Sequence, residues 1–120
     1  MSHTMNIQLE IRDKEALQTA CERLGITILG GNLHSLYSSK ESGIGFTLPG
    51  WKYPLVVKTD GTVAYDNYNG SWGNIDELNK LIAYYGLEKA KMEAQKQGYS
   101  VMESFNEQTQ ELELEIAIGA

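Results

Sequence analysis

The spacing of apolar residues changes several times along this chain, and these changes constrain its fold more than any other feature of the sequence. Between residues 5 and 11, apolar side chains alternate with polar ones, which is the pattern of a strand with one buried face. Asp13 and Gly25 are a typical cap and a typical left-handed stop for the helix that should follow. Its buried stripe is predicted to contain Leu17, Ala20, Cys21 and Leu24.

The middle of the chain is rich in residues that favour strands and turns. Residues 26–29 predict a short strand, and residues 30–43 predict a loop or an irregular hairpin. Three further strands are predicted from their β-branched and aromatic residues, at 43–48, 53–59 and 62–68. Asp60 and Gly61 lie between the last two, where a type I′ turn would join them. We therefore expect an antiparallel meander.

A long helix is predicted after the meander. Asn74 and Glu77 have the spacing of a capping box, and Gly98 is the expected end of the helix. Gly86 interrupts this helix, which predicts either close packing or a slight bend at that position. The inner side of the helix is predicted to be formed by Ile75, Leu78, Ile82, Tyr85, Ala90 and Ala94.

A second hairpin is predicted at the end of the chain, from strands at residues 99–105 and 112–118. Apolar residues at even positions of its second strand alternate with Glu111, Glu113 and Glu115. One face of this strand should therefore carry a row of carboxylates.

The order of these elements predicts a single domain covering residues 1–120. Strands bunched between two helices favour an α+β fold, in which an antiparallel sheet of about five to seven strands has both helices packed on one face. This arrangement belongs to the neighbourhood of the ferredoxin-like folds.

Composition narrows the classes of function. The net charge is −6 and no stretch concentrates lysine and arginine, so direct binding to nucleic acid is not expected. Cys21 is the only cysteine, which excludes an intrachain disulfide. No segment has the length and apolar character of a signal peptide or a membrane span, so we expect a cytoplasmic protein that does not enter a membrane.

Residues that carry catalysis or bind metals are few. The only histidines are His3 and His34, which is too few for a usual zinc site, and we expect neither a metal nor a cofactor. The pair Gly30 and Gly31 lacks the remainder of a phosphate-binding motif. Cys21 lies on the buried stripe of the first helix, where a thiol is more often a small apolar residue than a nucleophile. No catalytic residues are predicted.

Aromatic residues form the most suggestive local cluster. Tyr65, Tyr68 and Trp72 lie among small polar residues just before the long helix, and Trp51 and Tyr53 lie in the preceding turn. Large, stiff rings of this kind are common at binding hot spots. The alternative is that one or two of the rings close the end of the core.

Several stretches of the sequence are similar to the Ycf35/DUF1257 family, which is found in cyanobacteria, algal plastids and other bacteria. The segment MNIQLEIRDKEALQTACERLG resembles the first strand and helix of the family, and GIGF and YPLVVKTDG resemble its central strands. The segment from IAYYGLEKAKM to ELELEIA resembles its second half, with Tyr99 where phenylalanine is common. The similarity covers nearly the whole chain. Residues 30–42 and 65–74 depart from the family pattern, as does Lys58 at a usually acidic position.

This resemblance implies no enzymatic activity and no catalytic residues. It implies an accessory protein whose partner is an AAA+ ATPase or a ferredoxin-like protein, and a location in the plastid stroma if the source is an alga. A similar fold does not by itself establish a function.

The leading functional hypothesis is a small non-catalytic binding or adaptor protein, acting through an interface built from the aromatic cluster and an acidic sheet edge or face. An acidic inhibitor that imitates nucleic acid, of the phage or mobile-element type, is one alternative. A small-molecule-binding domain is another, with a pocket beneath residues 30–42 that His34, Tyr65 and Trp72 would line. A homodimer through the terminal strand is possible, although its glutamates oppose pairing.

Overall fold

An antiparallel sheet of five strands lies at the centre of the protein, and two helices pack on one of its faces. The computed structural model describes residues 4–7, 11–37 and 39–117, and for residues 4–7 it describes the backbone alone. In chain order the elements are β1 (Thr4–Ile7), α1 (Lys14–Leu24), β2 (Thr27–Ile28), β3 (Leu33–Ser35), β4 (Lys40–Ser42), β5 (Ile44–Thr47), β6 (Leu55–Val57), β7 (Val63–Asp66), α2 (Ile75–Lys96), β8 (Ser100–Asn106) and β9 (Glu111–Ala117).

The central sheet has the strand order β1-β7-β6-β5-β2, and every neighbouring pair is antiparallel. The predicted α+β class, with an antiparallel sheet and both helices on one face, is confirmed, and five strands are at the lower end of the expected number. The ferredoxin-like motif places a strand after its second helix. Here the chain after α2 forms a separate hairpin, β8–β9, and β3–β4 forms another.

The main core lies between the two helices and the central sheet. Residues of α1 and α2 meet alternate residues of β5, β6 and β7, because alternate side chains of a strand point to the same face. Burial of these side chains is the main stabilising contribution to the fold. The largest fully buried side chains of this core are Leu17, Cys21, Phe46, Leu55, Val63, Leu78 and Leu81.

The opposite face of the sheet is covered by the hairpin β3–β4. Leu36 packs on Val56 and Ala64, which point away from the helices. The ring of His34 lies against Gly45, where a Cβ would come within 2.7 Å of three ring atoms. Residues 30–43 therefore form a short hairpin that shields the sheet, which was one of the two structures expected there.

Helix α1 begins and ends where the sequence predicts. The Asp13 side chain accepts a hydrogen bond from the Ala16 N–H at 3.0 Å, and Gly25 adopts the left-handed conformation with φ of 69°. The Ala16 N–H and the Lys89 ammonium both stabilise the ionised carboxyl, and they lower the pKa of Asp13.

Helix α2 differs from the prediction at its first turn, and the structure removes one of the two explanations predicted for Gly86. Asn74 caps it, but its side chain accepts from the Asp76 N–H at 2.9 Å and not from the third residue of the helix, as in a capping box. Gly86 is exposed, and a Cβ there would meet no atom within 4 Å. Close packing is therefore not the reason for this glycine.

The turn between β6 and β7 is not the expected type I′ turn. That turn needs positive φ at both central residues, but among Thr59, Asp60 and Gly61 only Gly61 has it, at 90°. Gly61 N–H donates to the Lys58 carbonyl and Lys58 N–H donates to the Thr62 carbonyl, which is the pattern of a three-residue loop. The Asp60 carboxylate accepts from the Thr62 N–H and hydroxyl, at 2.9 and 2.7 Å, and these bonds hold the loop.

The terminal hairpin β8–β9, which we call the arm, is built as the alternation predicts. Its register pairs Phe105 with Leu112 and Glu103 with Leu114, so these four side chains share one face. The other face carries the glutamates of β9, all exposed. The predicted strand residues 8–10 and Ile118 lie outside the described part of the chain.

Ion pairs attach the arm to the two helices. The Arg23 guanidinium of α1 donates to both carboxylate oxygens of Glu103, at 2.9 and 2.7 Å, and lies 4.8 Å from the centre of the Tyr84 ring. Lys91 of α2 lies 3.5 Å from Glu103 and 3.2 Å from the buried Glu88. The bond from Arg23 lowers the pKa of Glu103.

Neither of the helices in the described residues is long and apolar enough to cross a membrane.

Candidate functional site

Four aromatic rings, two of them exposed and two partly exposed, form a continuous patch, which we call the aromatic surface. Trp72 is at its centre, with Tyr68 stacked on it at 4.8 Å between ring centroids. Tyr37 and Tyr53 approach Trp72 edge-on, at 4.9 and 5.3 Å. Tyr37 and Tyr68 remain 49% and 41% exposed. These contacts lie in the range in which ring pairs attract one another, so the patch is preorganised.

Three separate connections of the chain supply these rings. Tyr37 follows β3, Tyr53 precedes β6, and Tyr68 and Trp72 belong to the loop between β7 and α2. The Lys52 N–H donates to the Trp72 carbonyl at 2.8 Å, and this bond joins the second connection to the third. The aromatic surface therefore exists only in the folded chain.

The loop that carries Tyr68 and Trp72 has an unusual backbone. Tyr68 and Asn69 have positive φ, at 47° and 53°, and Gly70 follows at 94°. This region costs about 1–2 kcal/mol for a residue such as Tyr68, whereas asparagine adopts it more readily. The Asp66 carboxylate accepts from the Tyr68 N–H at 3.1 Å, and the Trp72 N–H donates to the Asn67 carbonyl at 2.9 Å. These bonds hold the loop in a conformation that presents both rings.

A cation lies against the aromatic surface. The Lys52 ammonium is 5.2 Å from the centre of the Trp72 ring and 5.8 Å from that of Tyr53. Contacts of this length are attractive because the ring face carries negative charge. The surface therefore offers large apolar contact area beside one positive charge.

The six predicted site residues do not lie together in the structure. Tyr53, Tyr68 and Trp72 come together in the aromatic surface. Trp51 and Tyr65 instead form an edge-to-face pair at 5.6 Å on the helix side of the sheet, where Tyr65 is 8% exposed. The expectation that Trp51 extends the exposed surface is therefore wrong, and the alternative that one or two rings close the core describes this pair.

The position of Trp51 has a clear physical cause. Its indole N–H donates to the Asn74 carbonyl at 3.0 Å, next to the start of α2. A Cβ at Gly73 would come within 2.3 Å of the Trp51 ring, so the absence of a side chain there lets the ring lie flat on the backbone. Burial also raises the pKa of its partner Tyr65.

His34 is a buried strand residue and not an exposed loop residue. It is 7% exposed and lies on the side of the hairpin β3–β4 that faces the central sheet. Its Nε2 has no hydrogen-bond partner among the described residues. Two adjoining depressions beside Asn32 and Gly43 have volumes of about 200 and 340 Å³. Neither is lined by His34, Tyr65 or Trp72, so neither is a pocket with the predicted lining.

Tyr37 is the member of the aromatic surface that sequence reasoning missed. His34 and Leu36 are buried while Leu33, Ser35 and Tyr37 are exposed, which is the alternation of an extended segment. The residue types do not show this alternation, because Leu33 is exposed and His34 is buried, so the sequence alone does not indicate that Tyr37 points outward.

Cys21 lies in the main core, as expected. It is 1% exposed, and burial raises the pKa of its thiol to about 11. A thiol of this kind stays protonated at neutral pH and is a poor nucleophile. Within residues 11–37 and 39–117, no group of three or more His, Cys, Asp or Glu residues could hold a metal ion, and His3 lies outside the described chain.

Comparisons of the chain with protein-family models, with curated proteins and with solved structures find no match.

Proposed function

We propose that this chain is a small non-catalytic binding domain that docks a partner protein through its aromatic surface. The observation that carries the proposal is the cluster in which the exposed rings of Tyr37 and Tyr68 and the partly exposed ring of Tyr53 surround Trp72. Tyrosine and tryptophan supply large contact area at low entropic cost, and they dominate protein-binding hot spots.

The left-handed backbone at Tyr68 supports the same proposal. Unfavourable dihedral angles are concentrated at functional sites. The Tyr68 ring is also stacked on Trp72, so little side-chain entropy remains to be lost when a partner binds.

The proposal is non-catalytic because the rings offer contact area and no acid, base or nucleophile suited to neutral pH. The reactive side chain Cys21 lies in the core with its pKa raised to about 11. The resemblance to the Ycf35/DUF1257 family favours an accessory role, with an AAA+ ATPase or a ferredoxin-like protein as the partner.

Site-specific photo-crosslinking in the native host tests this function. A photoreactive phenylalanine analogue placed at position 37 should form one discrete crosslinked product. The same analogue at position 33 is the matched control, because Leu33 is also exposed, at 60%, but lies outside the aromatic surface. Trp72→Ala in the position 37 protein should abolish the product.

Two results would contradict the proposal. One is equal crosslinking from positions 37 and 33, and the other is a product that survives Trp72→Ala. A thermal unfolding curve for the Trp72→Ala protein establishes that the loss comes from the surface and not from unfolding, since an intact core keeps the transition cooperative.

A further inference from the structure

The arm has a free edge. Strand β9 pairs with β8 along its whole length on one side, and no other strand of the described chain pairs with it on the other. The outer N–H and C=O groups of an edge strand are a template for an additional strand.

The two faces of β9 differ in chemistry. Leu112, Leu114 and Ile116 point to the side of α2, and Glu111, Glu113 and Glu115 point to the other side. On the apolar side a groove of about 790 Å³ lies open between α2 and the arm. Its apolar lining includes Tyr84, Leu87, Ala90, Phe105, Leu112 and Leu114.

The negative charge of the arm determines which kind of strand can pair with the free edge of β9. The arm contains five carboxylates and no lysine or arginine, namely Glu103, Glu107, Glu111, Glu113 and Glu115. A second copy that paired β9 with β9 would place Glu111, Glu113 and Glu115 close to the same residues of the other copy, which is unfavourable. A strand with positive side chains at alternate positions would instead place them opposite the three glutamates of β9.

We propose that the free edge of β9 binds an extended segment of a partner protein in which lysine or arginine alternates with apolar residues. The segment adds to the arm as a third strand. Its basic side chains pair with Glu111, Glu113 and Glu115, and its apolar side chains extend the face of Leu112, Leu114 and Ile116 over the groove.

The arm gains from such an addition because a two-stranded hairpin alone is marginally stable in water. Ile116, on the strand that has the free edge, is 42% exposed in the free chain. A third strand would cover part of this apolar area and would satisfy the backbone groups along the outer edge. This site shares no residue with the aromatic surface.

Titration with a synthetic peptide of alternating lysine and valine, with blocked ends, tests the proposal. Binding should move the backbone amide resonances of β9 in an NMR spectrum. A peptide with the same composition, but with all lysines in one block and all valines in another, should bind about tenfold more weakly, because it cannot match the period of two. Equal binding of both peptides would show attraction by charge alone and would overturn the proposal.

The double variant Glu113→Lys/Glu115→Lys should weaken binding of the alternating peptide about tenfold or more. The matched control is Glu22→Lys/Glu107→Lys, which has the same net charge and changes exposed glutamates outside the β9 row. If the control weakens binding as much, or if the free protein pairs with itself through β9 in concentration-dependent spectra, the proposal is wrong. The titration and the photo-crosslinking at position 37 probe different surfaces, so each can fail alone.

Discussion

The body of the protein, residues 11–96, and the arm are stabilised by different interactions. In the body, both faces of the central sheet are covered, and residues such as Phe46 and Leu81 have no exposed area. In the arm, one face of a two-stranded sheet stays open and Phe105 is half exposed. Apolar burial therefore stabilises the body, whereas it contributes little to the arm.

Ion pairs, and not buried apolar side chains, join the arm to the helices. Arg23 connects Glu103 of the arm to Tyr84 and Glu88 of α2, and Lys91 adds a second cation. Bonds between charged groups respond to pH and salt in a way that a core does not. We therefore expect that the two regions can be perturbed separately, and that the body stays folded when a change releases the arm.

Paired leucine truncations should give the largest difference between the two regions. Leu81→Ala removes a fully buried side chain of the body and should lower the free energy of unfolding by about 2–5 kcal/mol. Leu112→Ala on the arm removes a partly exposed side chain and should cost about 1 kcal/mol or less. Urea denaturation measures both, and equal losses would show that the arm belongs to the core.

Removal of Arg23 should release the arm. Arg23→Ala deletes the double hydrogen bond to Glu103 and should cost about 1–2 kcal/mol, because these groups are partly exposed. Amide hydrogen exchange in β8 and β9 should accelerate while that in β5, β6 and β7 stays unchanged. Lys96→Ala is the control, since Lys96 is exposed and lies 3.8 Å from Glu93, away from the arm. Uniform acceleration across the protein would contradict a separable arm.

A change in α2 should stabilise the body. Gly86→Ala adds a Cβ that meets no atom within 4 Å, and it should raise the free energy of unfolding by about 0.5–1 kcal/mol, since alanine restricts the unfolded chain and favours helix. Gly25→Ala should have the opposite sign because Gly25 needs φ of 69°. Thermal unfolding of both variants provides the test, and loss of stability in Gly86→Ala would reveal a contact at this position.

Mild acid should loosen the arm by a smaller amount. The pKa of Glu103 is lowered from its usual 4.5 in the folded chain, so its contribution is present at neutral pH and is lost as the pH falls below 4.5 through the lowered value. Because the pair is partly exposed, we expect less than about 1 kcal/mol. Hydrogen exchange in β8 and β9 followed against pH measures it, and Glu103→Gln should flatten the profile. An unchanged profile in that variant would assign the effect to another carboxyl.

Local signals in the sequence were sufficient for the helices and for the arm. Helix α1 begins after Asp13 and ends at Gly25, as predicted, because the hydrogen bonds of these two residues reach only three or four residues along the chain. The alternation of leucine and glutamate in β9 likewise predicted one acidic face. The turn at Asp60 and Gly61 was predicted incorrectly, because the hydrogen bonds that the Asp60 carboxylate accepts from Thr62 favour a different turn.

The aromatic surface could be predicted only in part. The residues of the loop before α2 were correctly chosen as a cluster, but Trp51 and Tyr65 lie on the other face of the sheet from Trp72. Which face a ring occupies depends on strand register and on distant contacts, such as the one between Trp51 and Gly73. Tyr37 joins Trp72 from a hairpin that covers the sheet, and no local pattern indicates that contact.

The spacing of apolar and charged residues over a few positions was enough to predict the α+β class, both helices, the buried thiol and the acidic row of the arm. Three features appear only in the folded chain: β3–β4 shields the sheet, four rings from three connections meet, and Arg23 joins the arm to the helices. These arrangements join residues distant along the chain. Their free energies depend on packing and on distances between charges, which a linear pattern does not contain.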